Sequence, residues 1–316
     1  MIYSCKNLLA DNSNFWLGLL LVFLNPWTQP LIAQASHFLE LPGVTLHYRD
    51  LGEGLPVLLI NGGPGMSSEG FLMMAGNLAE NNRVILFDQR GTGLSELDVV
   101  NDSTVTMDRM VADIEALRRH LGINRWVVMG HSFGGILAYY YASKYPDRLL
   151  GMIQSSSGGM DLELLATLDI PGGLTPVEQD SLRYYNRRIQ RGDTTHATRL
   201  KRGEFLAPAY VYHREHIPVV AERLTQGNRT INRLVWQDLR RMGYDVKSQM
   251  RMLACPVLIL HGRQDIVSPE LAGKAHRILQ DSRLVILEES KHYGWLDNPG
   301  GYFAAIEEFL GMLRDR

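Results

Sequence analysis

Short apolar runs recur along the chain from residue 44 onwards, and turn residues bound each of them. A continuous apolar run of this length predicts a strand that is buried on both faces of a sheet, whereas an alternating run predicts a half-buried strand. Val44–Asp50 alternates and predicts a first strand. The continuous runs predict further strands at Pro56–Ile60, Arg83–Asp88, Trp126–Met129, Arg148–Gln154, Pro256–Leu260 and Arg283–Leu287.

Segments with helical periodicity lie between these runs. Met107–Leu121 has apolar residues at i, i+3, i+4 and i+7 positions, with Thr106 as a candidate N-cap and Gly122 at its end. Further helices are predicted at Ile136–Tyr145, Pro269–Leu279 and Tyr302–Leu313. Strands that alternate with helices predict an α/β fold in which a mostly parallel, doubly wound sheet carries helices on both faces.

One segment interrupts this alternation. Residues 158–250 contain no buried-strand run and are rich in Arg, Gln, Leu and Tyr, with breaks at Pro171, Pro208 and Pro218. We interpret the segment as a helical cap inserted into a core formed by residues 36–157 and 251–316. An insertion that follows the carboxyl end of a strand would lie over the site of a doubly wound fold as a lid.

The first 35 residues differ in character from the rest of the chain. Phe15–Leu24 is an apolar run that is too short to span a membrane comfortably, and Ala33-Gln-Ala35 is a small-x-small pattern. These features predict a signal peptide at residues 1–35 with cleavage after Ala35. The protein would then be exported, periplasmic or secreted, with no stable membrane association after cleavage. An uncleaved segment that anchors the chain in a membrane is the alternative.

Composition narrows the classes of function. The chain of 316 residues has a formal net charge of −2 at pH 7, so no basic surface for nucleic acid is indicated. Its two cysteines, Cys5 and Cys255, form neither a Cys-x-x-Cys pair nor a cluster with histidine, so the sequence predicts no metal site. Gly91-Thr-Gly93 lacks the third glycine of a dinucleotide loop, and we expect no cofactor. No feature of the sequence indicates an oligomeric state.

The candidate nucleophile, Ser132, follows the third continuous run. Gly130-His-Ser-Phe-Gly134 joins this predicted strand to the helix after it, which is the strand–turn–helix context of a nucleophile elbow. A sharp turn would lift the serine hydroxyl clear of the sheet edge, and close approach of backbone to backbone favours glycine at both flanks. A glycine-rich turn with a surface serine is the alternative.

Two further groups follow the ends of later strands. Asp265 lies just past the fifth continuous run, and His292 lies just past the last one. The histidine would take the proton of the serine, and the aspartate would hold the histidine in the correct tautomer. This order along the chain predicts a Ser132–Asp265–His292 triad. Asp297 and Glu288 are the alternative acids.

The oxyanion that forms during acyl transfer needs backbone N–H donors. One donor is expected from Phe133, because it follows the nucleophile. The other is expected from the glycine-rich loop Asn61-Gly-Gly-Pro-Gly65, which follows the first continuous run. We predict Gly62 as this second donor, with Gly63 as the alternative.

These segments, together with Asp88-Gln-Arg-Gly-Thr-Gly-Leu-Ser95, Gly262-Arg-Gln-Asp265 and Lys291-His292, resemble the proline iminopeptidase (prolyl aminopeptidase) family of α/β-hydrolase fold serine hydrolases. The resemblance runs from about Leu39 to the C-terminus and implies release of an N-terminal residue, often proline, from short peptides through an acyl-enzyme. Two features depart from that family. Asn61 stands where a histidine is usual, and the elbow is Gly-His-Ser-Phe-Gly where a Gly-Gly-Ser-Trp-Gly type is common. We interpret Asp88 and Arg90 as structural residues that fix a loop beside the site.

The resemblance also implies that carboxylates of the cap bind the free ammonium group of the substrate. Glu204 and Glu215 are the first candidates, because the segment between them is aromatic. The other acidic residues considered, Glu163, Glu178 and Glu222, are expected mostly on solvated helix faces.

Three hypotheses for the function follow. The first is an aminopeptidase of the proline iminopeptidase type, acting on small peptides. The second is a carboxylesterase or lactonase with the same machinery, acting on small acyl substrates, and a cap cavity with no carboxylate near the nucleophile would be its mark. The third is a non-catalytic binding protein on the same fold, which would normally have lost a triad residue.

Overall fold

The structure, a computed structural model, describes residues 36–315. The predicted signal peptide at residues 1–35 lies outside the described residues. Within the described range, no helix combines the length and the apolar character that crossing a membrane requires.

A nine-stranded sheet forms the centre of the described chain. Its strands are β1 (Ser36–Leu41), β2 (Val44–Leu51), β3 (Leu55–Ile60), β4 (Asn82–Phe87), β5 (Glu96–Leu97), β6 (Trp126–His131), β7 (Leu149–Ser155), β8 (Val257–Gly262) and β9 (Ser282–Leu287). Their spatial order is β1-β2-β4-β3-β6-β7-β8-β9, and the short β5 pairs with β2. All neighbours from β4 to β9 are parallel, whereas β2 pairs antiparallel with β1, β4 and β5. The prediction of a mostly parallel α/β sheet is therefore confirmed.

Helices alternate with the strands and also fill the segment between β7 and β8. The core helices are α1 (Leu72–Leu78), α2 (Met107–His120), α3 (Phe133–Lys144), α10 (Pro269–Ile278), α11 (Gly294–Asp297) and α12 (Pro299–Arg314). The cap helices are α4 (Leu164–Thr167), α5 (Pro176–Gln190), α6 (His196–Leu206), α7 (Ile217–Arg223), α8 (Arg229–Arg241) and α9 (Lys247–Met250). Short 3-10 turns connect several of these helices.

Burial explains why the apolar runs form the inner strands. Leu58 in β3, Val128 in β6 and Leu258 in β8 are fully buried, because helices cover both faces of the central sheet. The last strand is different. Ser282–Leu287 reads as an equally apolar run, but only Leu287 is buried, because β9 is the edge strand and has a neighbour on one side alone. The expectation of burial on both faces is wrong for this strand.

The strand order reverses between β3 and β6, and this reversal positions the site. From β3 the chain continues to β4 on one side, whereas β6 pairs with β3 on the other side. Ile60 at the end of β3 lies opposite Gly130 near the end of β6. A crevice forms where the order reverses at the carboxyl edge of such a sheet. The loop after β3 and the turn after β6 therefore lie side by side.

The cap is held on the core by the amphipathic helix α8. Its buried face includes Ile231, Leu234 and Val235, which belong to the same apolar cluster as the residues of α2. In addition, Asp238 of α8 accepts a hydrogen bond from the backbone N–H of Met107, the first residue of α2, at 2.8 Å. The first N–H groups of a helix have no carbonyl acceptor within that helix, and the cap helix α8 supplies the acceptor for this one.

Candidate active site

Ser132 lies in the turn between β6 and α3 in a strained backbone conformation. Its φ of 55° and ψ of −119° are rarely adopted by residues other than glycine, and such strain is found mostly at functional sites. A Cβ at Gly130 would lie 2.2 Å from the carbonyl oxygen of Gly134, and one at Gly134 would lie 2.2 Å from that of Ile60. Both flanking glycines are therefore required by the close backbone approach that the sequence predicted.

The hydroxyl of Ser132 is not used by the fold. A serine at the N-cap of a helix usually accepts a hydrogen bond from the first turn, but α3 has no side-chain cap. The turn is held instead through the backbone, where the N–H of Ser132 donates to the carbonyl of Ser155 at 3.0 Å. Ser132 is partly exposed, so its hydroxyl remains available to a ligand.

Asp265 and His292 form a buried pair on the loops after β8 and β9. His292 Nδ1 lies 2.8 Å from Asp265 Oδ1, and the two side chains are 4% and 0% exposed. Burial by itself would raise the pKa of Asp265, but His292, His261 and the hydrogen bonds from His292 and from the Val267 N–H hold it below its usual value. The ionised carboxylate therefore accepts a hydrogen bond from the Nδ1–H of His292 and leaves Nε2 free to accept a proton.

The elbow brings the residue before Ser132 into contact with this pair. This residue, His131, has its ring centroid 4.7 Å from that of His292. Between the described residues, no hydrogen bond joins the Ser132 hydroxyl to His292. Contacts between nucleophile and base are often loose without substrate and tighten in the complex.

The two alternative acids have other partners. Glu288 is exposed and pairs with Arg263 at 2.6 Å. Asp297 accepts the backbone N–H groups of Tyr212 and Lys291, both at 2.9 Å, and so ties the cap to the loop that carries the histidine. Asp265 is the acid that contacts His292.

Gly62 lies directly against Ser132. A Cβ at Gly62 would be 2.8 Å from the Cβ of Ser132, so the loop after β3 touches the elbow. Phe133 is the first residue of α3, and its N–H has no carbonyl within the helix to bond. The two N–H groups predicted as oxyanion donors thus belong to segments that flank Ser132. The alternative, Gly63, has a φ of 66° and lies one residue further from it.

Asn61 holds the loop that carries Gly62. Its buried side chain donates to the carbonyl of Met66 at 2.9 Å and to that of Ser67 at 3.2 Å. The side chain of Gln89 donates to the carbonyl of Asn61 at 2.8 Å. These bonds connect the loop after β3 to the segment after β4, so the asparagine at this position is a structural residue.

Asp88 and Arg90 occupy buried polar networks, in agreement with their structural interpretation. Asp88 accepts the N–H of Ser68 at 2.6 Å and the ring nitrogen of His47 at 2.8 Å. Arg90 forms a two-point contact with Asp113, with distances of 2.7 and 2.5 Å. Both networks fix the segment between β4 and α2 beside the site.

We expect Arg90→Met to lower the free energy of unfolding by about 3–5 kcal/mol, because it leaves the buried carboxylate of Asp113 without its partner. The matched control is Arg83→Met, which breaks the half-exposed pair with Asp50 and should cost about 0–1 kcal/mol. Urea unfolding of both variants measures the difference. Equal losses would show that burial does not set the strength of the Arg90 contact.

His131 serves as an aromatic wall of the site. It is 1% exposed, and its ring packs against those of His292 and Trp295 at 4.7 and 4.8 Å. Burial, with His292 and Arg223 adding to its effect, holds the pKa of His131 well below its usual value. The imidazole is therefore neutral and supports His292 by packing.

Two cap residues that sequence reasoning did not single out contact the site. The carbonyl of Tyr210 accepts the backbone N–H of His292 at 3.0 Å, and the two rings are 5.5 Å apart. The guanidinium of Arg223 lies 4.6 Å from the ring centroid of Phe71 and donates to the carbonyl of Gly62 at 3.3 Å. One tyrosine and one arginine in a helical segment carry no distinguishing sequence pattern, so no signal could have identified them.

The cap carboxylates predicted to bind an ammonium group pair with basic side chains or lie exposed. Glu204 pairs with Lys201 at 2.6 Å, and Glu215 is exposed. The other acidic candidates, Glu163, Glu178 and Glu222, pair with Lys274, Arg214 and His196. Among the described residues no hydrogen bond joins Glu204 or Glu215 to Asp265 or His292, and the role of these two acids in binding an ammonium group stays a prediction. The aromatic segment between them contacts the site through Tyr210.

A cavity of about 740 Å³ lies between the loop after β3 and the cap. Its core side is formed by Gly63, Pro64 and Met66, next to the glycine that touches Ser132. No aspartate or glutamate is among the described residues that line it. Within residues 36–315, no group of three or more His, Cys, Asp or Glu side chains could hold a metal ion.

Three features together define a class of hydrolase folds: a serine at the elbow after a central parallel strand, an acid and a histidine after later strands, and an inserted helical cap. Residues 56–299 match the family described as alpha/beta hydrolase fold, and the chain belongs to this family.

Relatives and solved structures agree with this assignment. The chain is 28% identical to a proline iminopeptidase of Saccharolobus solfataricus, over 84% of this chain and 88% of the relative. It is also 28% identical to a proline iminopeptidase of Heyndrickxia coagulans, over 87% and 98%. A thermophilic esterase from Thermogutta terrifontis superimposes with a TM-score of 0.67 and 26% identity, over 89% and 99% of the two chains. The predicted resemblance to proline iminopeptidases is confirmed.

Proposed function

We propose that this protein is a serine hydrolase that works through an acyl-enzyme. The observation that carries the proposal is the buried hydrogen bond between Asp265 and His292, beside a strained serine whose hydroxyl the fold leaves free. His292 Nε2 takes the proton of Ser132 as its oxygen attacks the acyl carbon. The N–H groups of Gly62 and Phe133 stabilise the oxyanion.

The acyl group is then transferred to water. His292 gives its proton to the leaving group as the bond to the acyl carbon breaks, and the acyl-enzyme on Ser132 remains. His292 next takes a proton from a water molecule as its oxygen attacks the same carbon. The bond from that carbon to the oxygen of Ser132 then breaks, His292 returns the proton to the serine oxygen, and the acid is released. Asp265 keeps the imidazole in one tautomer and stabilises its positive charge in both steps.

We propose a carboxylic ester of a small acyl group as the substrate. An aminopeptidase must bind the free ammonium group of its substrate, and a buried charge without an opposite charge is costly. The cavity beside the elbow offers no carboxylate from the described residues, and the cap acids considered either pair with basic side chains or lie exposed. This arrangement supports the carboxylesterase alternative over the first hypothesis.

Release of an N-terminal residue from short peptides is the second candidate. It is favoured by relatives named proline iminopeptidase, which are 28% identical over most of the chain, and by the Asp88–Ser95 segment. In this case the ammonium group would have to find its partner outside the cavity wall, for example in the carbonyl groups of the loop after β3.

The proposal is tested with a fluorophosphonate label and a substrate panel. We expect stoichiometric labelling of Ser132, located by peptide mass spectrometry, and hydrolysis of short-chain esters with little release of arylamine from prolyl and alanyl arylamides. Labelling at another residue would contradict the nucleophile assignment. Arylamide turnover that exceeds ester turnover would instead support the aminopeptidase.

A further inference from the structure

Three arginines line the cavity beside the elbow. Arg199 and Arg202 lie three residues apart on α6 and so share one face of that helix, and Arg229, the first residue of α8, also lines the cavity. The N-terminal end of α8, which carries a partial positive charge, lies at the cavity wall. The cavity is therefore strongly cationic.

None of these guanidinium groups has an acidic partner in the described chain. Arg202, which is partly buried, donates from Nε to the side-chain oxygen of Asn186 at 2.7 Å, and its two terminal nitrogens have no partner among the described residues. Arg199 and Arg229 form no ion pair within residues 36–315. Burial lowers the pKa of Arg202; Tyr210 opposes this effect, and the nearby charge of Arg229 adds to it. Such an unbalanced group would be stabilised by an anion.

The acidic residues next to the cavity are not part of its lining, and Asp193, beside the lining residue Thr194, pairs with Arg188. Glu69 accepts a hydrogen bond from Gln226 at 3.4 Å, and Glu222 is held by His196 at 2.8 Å and by Thr225 at 3.5 Å. Both acids are exposed and neither belongs to the cavity lining. The charge that faces the interior remains positive.

We propose that this cavity binds a carboxylate of the substrate, so that the enzyme hydrolyses monoesters of short dicarboxylic acids. Guanidinium groups match the two oxygens of a carboxylate and bind them in a forked geometry. Gly63 at the cavity wall is adjacent in sequence to Gly62, which touches Ser132, and Tyr210 of the same wall has its ring 5.5 Å from that of His292, so the cavity lies beside the site. A volume of about 740 Å³ is ample for a substrate of this size. The inference rests on the proposed function, because Ser132 supplies the nucleophile.

Two esters of equal length test the proposal. Monoethyl glutarate carries a carboxylate where ethyl pentanoate carries a methyl group. We expect the wild-type enzyme to have the higher kcat/KM for monoethyl glutarate, and Arg202→Gln or Arg229→Gln to lower the ratio of the two kcat/KM values by about 10- to 100-fold. Arg202→Lys should retain part of the preference, because it keeps the charge but loses the fork.

Arg240→Gln is the matched control, since it removes the same charge from the exposed far end of α8. It should leave the ratio unchanged. Two results would overturn the proposed carboxylate site. One is a wild-type enzyme that prefers ethyl pentanoate, and the other is a ratio of kcat/KM values that Arg202→Gln and Arg229→Gln do not lower.

Binding to the inactive Ser132→Ala protein separates this inference from the proposed function. Calorimetry should show that monoethyl glutarate binds, that added salt weakens the binding, and that a second substitution, Arg202→Gln, raises Kd by about 10- to 100-fold. If Ser132→Ala binds the monoester in this way but the wild type hydrolyses no ester, the proposed hydrolase function would be wrong and the anion site would stand. If the wild type hydrolyses esters but Ser132→Ala shows no such binding, the proposed hydrolase function would stand and the anion site would be wrong.

Discussion

Replacement of Ser132 by alanine is expected to lower kcat by about 10⁴- to 10⁶-fold and to change KM little. In the proposed mechanism this hydroxyl forms the acyl-enzyme, and water cannot replace it at the same distance from the oxyanion donors. Ground-state binding in the cavity does not involve the hydroxyl, so affinity for the ester should persist. Steady-state kinetics with ethyl pentanoate, supported by single-turnover measurements, will test this expectation.

Ser143→Ala is the matched control for that variant. Ser143 lies on the same helix, α3, and its hydroxyl only donates to the carbonyl of Tyr140 at 2.7 Å. It should therefore keep activity within about twofold of the wild type. Residual activity of Ser132→Ala above 10% of wild type, after contaminating esterases have been excluded, would show that another group is the nucleophile.

The parts of this protein that sequence predicts well are those that local chemistry determines. An inner strand of a parallel sheet must be apolar on both faces, so β3 and β6 appear as continuous runs. Glycine is required at both Gly130 and Gly134, because a Cβ atom added at either position would collide with backbone atoms. Ser132, Asp265 and His292 each follow a predicted strand, so their order along the chain is that of the strands β6, β8 and β9.

The parts that sequence predicts poorly depend on tertiary context. The run that forms β9 looks like an inner strand, and only the sheet order places it at an edge. In the cap, Arg202 and Glu204 lie two residues apart on α6 and so occupy different faces of the helix. Because α6 is charged around much of its surface, no apolar stripe indicates which face turns towards the cavity.

Replacement of Asp265 by asparagine should lower kcat by about 10³- to 10⁴-fold near pH 7 with nearly unchanged geometry. The amide can donate to Nδ1 of His292, which would move the imidazole proton to Nε2 and abolish its ability to accept from Ser132. The loss should appear in kcat and in kcat/KM alike, because the tautomer matters for the transition state.

The pH dependence of stability adds a second test of the Asp265 assignment. The folded state holds the pKa of Asp265 below the unfolded value of about 3.9, so the ionised carboxylate stabilises the fold above that pH, and this contribution is lost as pH falls through the folded pKa. The difference in unfolding free energy between wild type and Asp265→Asn should therefore shrink from pH 5 to pH 3 in urea titrations.

The control for Asp265→Asn is Glu288→Gln, which changes the exposed acid that sequence alone left as an alternative. Because Glu288 contacts Arg263 and not His292, its substitution should leave kcat within about twofold. If Glu288→Gln lost as much activity as Asp265→Asn, the acid of the triad would have to be reassigned. If neither variant lost activity, His292 would not depend on a carboxylate partner, and the mechanism proposed for this hydrolase would be wrong.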